Sequence, residues 1–524
     1  MRSIAMVFLL GTDVGTTGCK TEIINADGKS IMMAYEEYPM LYPRPYWVET
    51  DPEGGWWKAY VSTTQEVLKR SGINPKDIAG VSISCTNALV AVDKKGKALR
   101  NAIMQLDKRS VPQAEWINEN IGSEEVAEIT GNSVAAGATS APIILWIKEN
   151  EHKIFKRTHK FLWPTGFVVA KLTGEFTMDW SRASWTCFFE TKTRRIYSEK
   201  LLDEMGIPLE KLPTTYPSWE VVGEVTGEAS KITGLAKGTP VVAGMADTPA
   251  STIGAGAVRP NDLLYVLGTV GRPVLIMDKP EFDPIFLNYC DAVPDQWQSL
   301  AALDGGSVCM RWFRDAFGQL EVNIAEEIGE SPYKLLDMEA ERSPIGSRGL
   351  IFFPYITGGR ANIVSDPNAR AFFFGLSLAH SRGDVIRAIL EGVTYALRHN
   401  CEEMMKRYRI DRIKEMRMCG GGSKSPLWRQ IVADITNLQV RPVKRTDTES
   451  LGNAILAGYG VGVFSDIREA ADNIIETLEV VYPRAKYHEV YTHLFGLYKV
   501  LYEQFKDDFI ILREISDKYS DLWR

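Results

Sequence analysis

The sequence predicts a mixed α/β chain made of two related domains. The stretch to Tyr38 reads strand, Gly-rich turn, strand, tight turn, strand, and then feeds a helix and a further strand. Doubly wound nucleotide folds instead alternate short strands and helices from the start. Gly15-Thr16-Thr17-Gly18 has a counterpart 253 residues on in Gly268-Thr269-Val270-Gly271, each behind a short apolar strand. The chain has 524 residues, 45% hydrophobic and 24% charged, an ordinary globular composition that excludes a disordered or fibrous protein.

Taken in order, Met6–Leu10 is an apolar strand, GTDVGTTG a Gly-rich turn, and CKTEII the returning strand. Ala26-Asp27-Gly28-Lys29 turns into a strand over Ser30–Tyr38. Trp57, Tyr60, Val61, Thr64, Val67 and Leu68 share one face of a helix over Trp56–Arg70. A strand over Ile78–Ser84 follows, then a turn at residues 93–96. Gly238–Asp247 reads as a buried strand ending on an acid, and Pro249–Gly256 as the start of a helix of small residues. Beyond it, Gly349–Pro354 and Met416–Cys419 are short strands, and Asp384–Tyr395 is helical. Ser425-Pro426 opens a helix with an N-cap and a proline at its first position. From Tyr482 onward the pattern is one long amphipathic helix packed back on the body.

Formal charge is −7, which gives no support to a nucleic-acid partner. The seven cysteines stand singly, with no CxxC, as expected of thiols in a reducing compartment, and the six histidines show no metal-ligand spacing. The run Ile4–Leu10 behind Arg2 is short and passes straight into the Gly-rich turn, unlike a secretory leader. No apolar stretch approaches a membrane span. A cytoplasmic protein with no membrane partner is expected.

Three segments could carry chemistry. In GTDVGTTGCK (11–20) glycines allow close approach to a phosphate, N–H groups and Thr hydroxyls can donate to its oxygens, and Lys20 adds a point charge. Asp13 repels a bare phosphate, so its expected role is to hold a hydrated Mg²⁺. An ordinary Gly-rich hairpin is the plain alternative. Asp247 ends an apolar strand, where a carboxylate can take a proton from a hydroxyl attacking phosphorus or can merely cap the following helix. Gly420-Gly421-Gly422, between a strand and a well-capped helix, offers a side-chain-free surface to a purine or ribose, or is simply a turn.

These elements in this order resemble the FGGY family of carbohydrate kinases, in the actin and hexokinase ATPase superfamily. The resemblance spans the chain and rests on GTDVGTTGCK, LDKR (106–109), AGMADTPASTIGAG, YVLGTVG, FGLSLAHSRGDVIRAILEGVTYAL (374–397) and CGGGSKSPLWRQIVADITNLQV (419–440). YPRPYWVETDP (42–52) and TESLGNAILAG (448–458) also look like family sequence. It implies two ribonuclease-H-like α/β domains around a central cleft, at 1–252 and 253–482, with a helical extension over 483–524. Residues 1–252 would hold the sugar site and the first phosphate hairpin, and 253–482 the second hairpin and the adenosine site.

By residue-to-residue match, the resemblance makes Asp247 the base and Asp13 the residue that positions Mg²⁺. Thr16, Thr17 and Lys20 would surround the β- and γ-phosphates of ATP, facing Gly268 and Thr269, and Gly421 and Gly422 would border the adenosine end. Asp107 matches a substrate-side acid, and Thr86 and Asn87 are neutral hydrogen-bonding groups suited to sugar hydroxyls. The general pattern is nearest the xylulose kinase type, implying a ketopentose such as xylulose as acceptor. However, Ser84-Cys85-Thr86-Asn87-Ala88-Leu89 stands where that type usually carries Gln-Met-His-Gly and glycerol kinases Arg-Glu. Ribulose, erythritol or another polyol, glycerol and a linear hydroxyketone are the alternative acceptors. An actin- or chaperone-like ATPase would need partner-binding insertions not seen here, and a non-enzymatic sensor would not need Asp13, Lys20 and Asp247 together. Relatives commonly form homodimers, and a homodimer is the partner state the resemblance implies.

Overall fold

A computed structural model describes residues 7–522 except 194, 304, 361, 362 and 412, so the start of the apolar run Ile4–Leu10 lies outside the described residues. The chain forms two compact units. The first comprises Met1–Pro260, Ile276–Ser299 and Asp447–Ile475, and the second Asn261–Leu275, Leu300–Thr446 and Glu476–Arg524.

In the first unit, Phe8–Val14 is the central strand. It runs antiparallel to Gly18–Asn25 and parallel to Ile78–Cys85. Ser30–Glu37 extends one side, while Pro240–Val242 and Met245–Ala246 both pair with Ile78–Cys85. The central strand continues through Gly11-Thr12-Asp13, leaving only residues 15–17 as the turn. Gly11 is therefore a packing glycine: a Cβ there would lie 2.1 Å from the Ser450 carbonyl oxygen of the helix Glu449–Gly460. The single strand expected over Gly238–Asp247 is broken at Gly244, whose φ of +83° kinks the chain against the Ile83 carbonyl.

The helix beyond that break starts at Asp247 and runs to Ala255. It meets Glu449–Gly460 along a seam of glycines, where a Cβ on Gly254 would lie 1.9 Å from the Thr448 oxygen and one on Gly452 2.1 Å from the Ala250 oxygen. The small residues on both helices are what allow their backbones to approach this closely. On the other face of the sheet, the helix Lys58–Ser71 buries Ala59, Tyr60, Thr63, Thr64, Val67 and Leu68 and ends at Gly72 in the left-handed region. It is preceded by a π-helical turn over Pro52–Trp57. Trp56 is fully buried edge-on to Phe167, and Trp57 stacks on Tyr60.

The second unit repeats the same frame. Leu263–Leu267 runs antiparallel to Gly271–Met277 and parallel to Glu415–Cys419, which pairs parallel with Gln439–Pro442. In each unit a Gly/Thr turn joins the antiparallel pair, so the echo in sequence marks a repeated structural position. The helix expected from Asp384 begins at Arg382 and runs to Arg407, with Ser381 and Asp384 forming a reciprocal capping box. His380 lies in the turn before it and accepts the Ser377 N–H through Nδ1 at 3.0 Å. The final helix, Ala485–Lys518, buries Tyr491, Phe495, Tyr498, Leu501 and Phe509 in this unit. Phe353 stacks between Phe372 and Tyr498, with ring centroids at 4.1 and 4.6 Å. Aromatic pairs of this kind are worth about 0.5–1.5 kcal/mol beyond their burial, so the extension is part of the core.

Candidate active site

In the first unit, Asp13 and Lys20 face each other across the hairpin as a cross-strand pair. Asp13 Oδ1 accepts the Ser84 hydroxyl at 2.6 Å, and Ser84 Oγ in turn accepts Asn453 Nδ2 at 2.7 Å. Burial, then the nearby Glu449 carboxylate, pushes the Asp13 carboxyl up to about 7, with Asp247 contributing in the same direction. Lys20 Nζ lies 2.7 Å from Asp447. The Thr17 side chain is exposed and that of Thr16 half-buried, as a turn offering hydroxyls to a ligand requires.

Asp247 is the first residue of its helix. Ala246 takes the N-cap position and supplies no side-chain bond, so the side chain that meets the first turn is that of Asp247, the first helical residue. Its Oδ1 accepts the Thr248 N–H at 2.9 Å. Thr86, at the end of the strand that carries Ser84, has its hydroxyl 3.1 Å from that of Thr16. Asn87 Nδ2 donates to the Ala138 carbonyl at 2.6 Å. Asp107 is 1% exposed, with its carboxylate already engaged inside the wall. It accepts Val48 N–H at 2.6 Å, Arg109 N–H at 2.8 Å and the Arg109 guanidinium through Nε and Nη2. Arg109 also pairs with Glu49 and lies 3.8 Å from the Trp47 ring centroid. Four acceptor sites on a carboxylate are used up by such a set.

Asp13, Asp247 and Glu449 thus share one electrostatic neighbourhood, although among the described residues no three His, Cys, Asp or Glu side chains form a metal cage. That donor set fits Mg²⁺, which binds through one or two carboxylates and keeps waters and phosphate oxygens as its other ligands. Sequence reasoning did not single out Ser84, Glu449 or Asn453. Glu449 and Asn453 lie four apart in TESLGNAILAG, on one helical face, and that spacing was the available signal.

In the second unit, Gly268 and exposed Thr269 form the turn, whose Gly268 N–H reaches the Val270 carbonyl at 3.1 Å. The triple glycine sits beside it, and its three members differ. Gly420 has a φ of +88°, and a Cβ there would lie 2.6 Å from the Leu267 oxygen. A Cβ on Gly422 would lie 2.5 Å from the Leu267 side chain. On Gly421 it would meet nothing within 4 Å. Two of these glycines are explained by the fold, whereas the exposed Gly421 borders open space of the kind a flat ligand could fill. Ser425 Oγ caps the following helix through Trp428 N–H at 3.0 Å.

Gly/Thr turns on two α/β frames, with carboxylates beside the first, are what a phosphate-handling enzyme needs. The chain matches the N-terminal domain of the FGGY family of carbohydrate kinases over residues 8–254 and the family's C-terminal domain over 270–461, and it belongs to that family. It is an ATP-dependent sugar kinase. A xylulose kinase of Bacillus subtilis (strain 168) is 31% identical over 507 residues, 96% of this chain and 98% of that protein. A gluconokinase of the same organism is 29% identical over 472 residues, 90% of this chain and 91% of that one. The ligand-bound xylulose kinase structure from Lactobacillus acidophilus has a TM-score of 0.86 at 25% identity, covering 95% of this chain and 98% of that one. Among the described residues no helix is long and apolar enough to cross a membrane.

Proposed function

We propose that this kinase transfers the γ-phosphoryl of Mg-ATP to a hydroxyl of a neutral ketopentose such as xylulose. The observation that carries the reading is Asp247: an acid at the first turn of a helix, in the field of Asp13. Asp247 takes the proton of the attacking hydroxyl as the new P–O bond forms and the bond to the β-phosphate oxygen breaks, releasing ADP. Thr16, Thr17 and Lys20 donate to the β- and γ-phosphate oxygens, with Lys20 leaving Asp447 for the phosphate. Gly268 and Thr269 donate to phosphate oxygens, and Gly421 and Gly422 border the adenosine. Mg²⁺, held through Asp13, would neutralise phosphate charge when bound.

On the acceptor side, Thr86 and Asn87 supply neutral hydrogen-bonding groups, and Asp107 acts by fixing Arg109 and the backbone at Val48. The likeness to xylulose kinases supports the ketopentose. A second reading, an aldonate acceptor, is favoured by the gluconokinase relative. The seven cysteines are all buried thiols, which supports the cytoplasm as the compartment.

An ATP-consumption assay over xylulose, ribulose, erythritol, glycerol, linear hydroxyketones and gluconate tests the reading. Xylulose should give the highest kcat/KM. A preference for gluconate would move the assignment to the second reading, and consumption of ATP independent of every acceptor would overturn both.

A further inference from the structure

We infer that Arg182 is a positioning residue for Asp247, acting from the short turn Asp179–Ala183; this rests on the reading of Asp247 as the base. Asp179 caps that turn, its Oδ1 accepting the Arg182 N–H at 2.9 Å and also the Ser181 hydroxyl. Ser181 Oγ accepts the Ala246 N–H at 2.9 Å. A carboxylate, a hydroxyl and a peptide N–H thus run in series to the residue directly before Asp247 and fix the backbone from which the acid projects.

Arg182 works on the side chain. Its Nη2 donates to the Cys85 carbonyl at 2.6 Å and lies 3.9 Å from Asp247 Oδ1. Its Nε is buried without a hydrogen-bond partner. Asp179 and Tyr289 are the other titratable neighbours that act on it besides Cys85, and the Trp185 ring centroid is 5.9 Å away. A buried guanidinium is costly to desolvate, and a closed bidentate pair is the usual compensation. Here the separation exceeds hydrogen-bond distance, so the cation biases the Asp247 carboxylate by charge without occupying that oxygen. Its side chain is 1% exposed against 32% for Asp247, so the acid can reach an acceptor while the arginine stays behind it. By holding the Cys85 carbonyl, Arg182 also ties the acid to the strand end that carries Thr86 and Asn87.

The test is a double-mutant cycle on the full-length enzyme, with Arg182→Gln and Asp247→Asn alone and together, read as kcat, KM for ATP and for acceptor, and melting temperature. Arg182→Gln should lower kcat about 10- to 100-fold, the scale of a misaligned catalytic group, with KM for ATP little changed. Arg182→Lys should recover part of that loss by restoring the charge. In the Asp247→Asn background, removing Arg182 should cost no more than about twofold, since residues acting through one another are not additive. Equal fold losses in both backgrounds, or an unchanged kcat, would overturn the inference. Near-normal turnover in Asp247→Asn alone would instead bring down the base reading and this inference with it. If the glutamine variant lacks the native melting transition, the lysine variant takes its place in the cycle.

Discussion

The hydroxyls of Thr16 and Thr86 lie 3.1 Å apart, joining the turn assigned to phosphate to the segment assigned to the acceptor. Gln105 Nε2 reaches the same Thr86 oxygen at 3.4 Å. Two residues before Thr86, Ser84 holds Asp13. One strand end therefore braces Asp13 and the Thr16 hydroxyl and leads directly into Thr86 and Asn87, the residues proposed to meet phosphate and acceptor. Transfer chemistry gains from such fixed positioning, because aligning the reactants supplies much of the barrier reduction.

Removing charge where phosphate must be held should cost rate. Asp13→Ala and Lys20→Ala are each expected to lower kcat by roughly 10²–10³-fold, the scale of losing one preorganised electrostatic partner, with a smaller change in KM for the sugar. Asp447→Ala should leave kcat within about twofold, because Asp447 is the exposed partner of the pair and an ion pair open to solvent on one side contributes little. Steady-state kinetics at saturating Mg-ATP decides, and unchanged turnover in the first two variants would refute the assignment.

The triple glycine separates nucleotide binding from folding. Gly421→Ala should keep the melting temperature and raise KM for ATP, since the added methyl meets only open space in the protein. Gly422→Ala drives a methyl into Leu267 and toward Ser307, and overpacking of this kind costs about 1–3 kcal/mol. Thermal melts alongside ATP titrations check both, and a normal KM for ATP in Gly421→Ala would remove that residue from the nucleotide site.

Asn87→Ala should alter the ranking of acceptors while leaving KM for ATP nearly unchanged, because a site built for hydroxyls discriminates by the partners it leaves unpaired. The readout is kcat/KM over the sugar panel. The same proportional loss on every sugar would show that Asn87 only braces Ala138.

Asp291 predicts a pH dependence of stability. Burial pushes its carboxyl up to about 7, and its Oδ2 is buried without a partner. A folded-state value above the unfolded one, near 3.9, means the stabilising contribution is complete below about pH 4 and is lost as pH rises through about 7. Asp291→Asn cannot ionise, so its melting temperature relative to the parent should be higher at pH 8 than at pH 5. An equal difference at the two values would show that this carboxyl does not titrate in that window.

The sequence alone determined the α/β class, the repeated Gly/Thr turns and the order of the motifs, because these depend on local pattern: apolar runs, glycines where turns need them, caps such as Ser425. It also marked Asp13, Lys20 and Asp247, whose residue types are costly in those settings unless used. Tertiary structure decided what depends on partners distant in the chain. Gly11 and Gly254 serve the approach of a helix some two hundred or more residues away, and Asp107 is engaged by Val48 and Arg109. Arg182 reaches Asp247 only through a turn capped by Asp179, and Ser84 and Asn453 support Asp13 from a strand and a helix far apart in sequence. Hydrogen bonds and close packing act over a few ångströms of space, and no sequence spacing encodes which remote backbone or side chain will fill them.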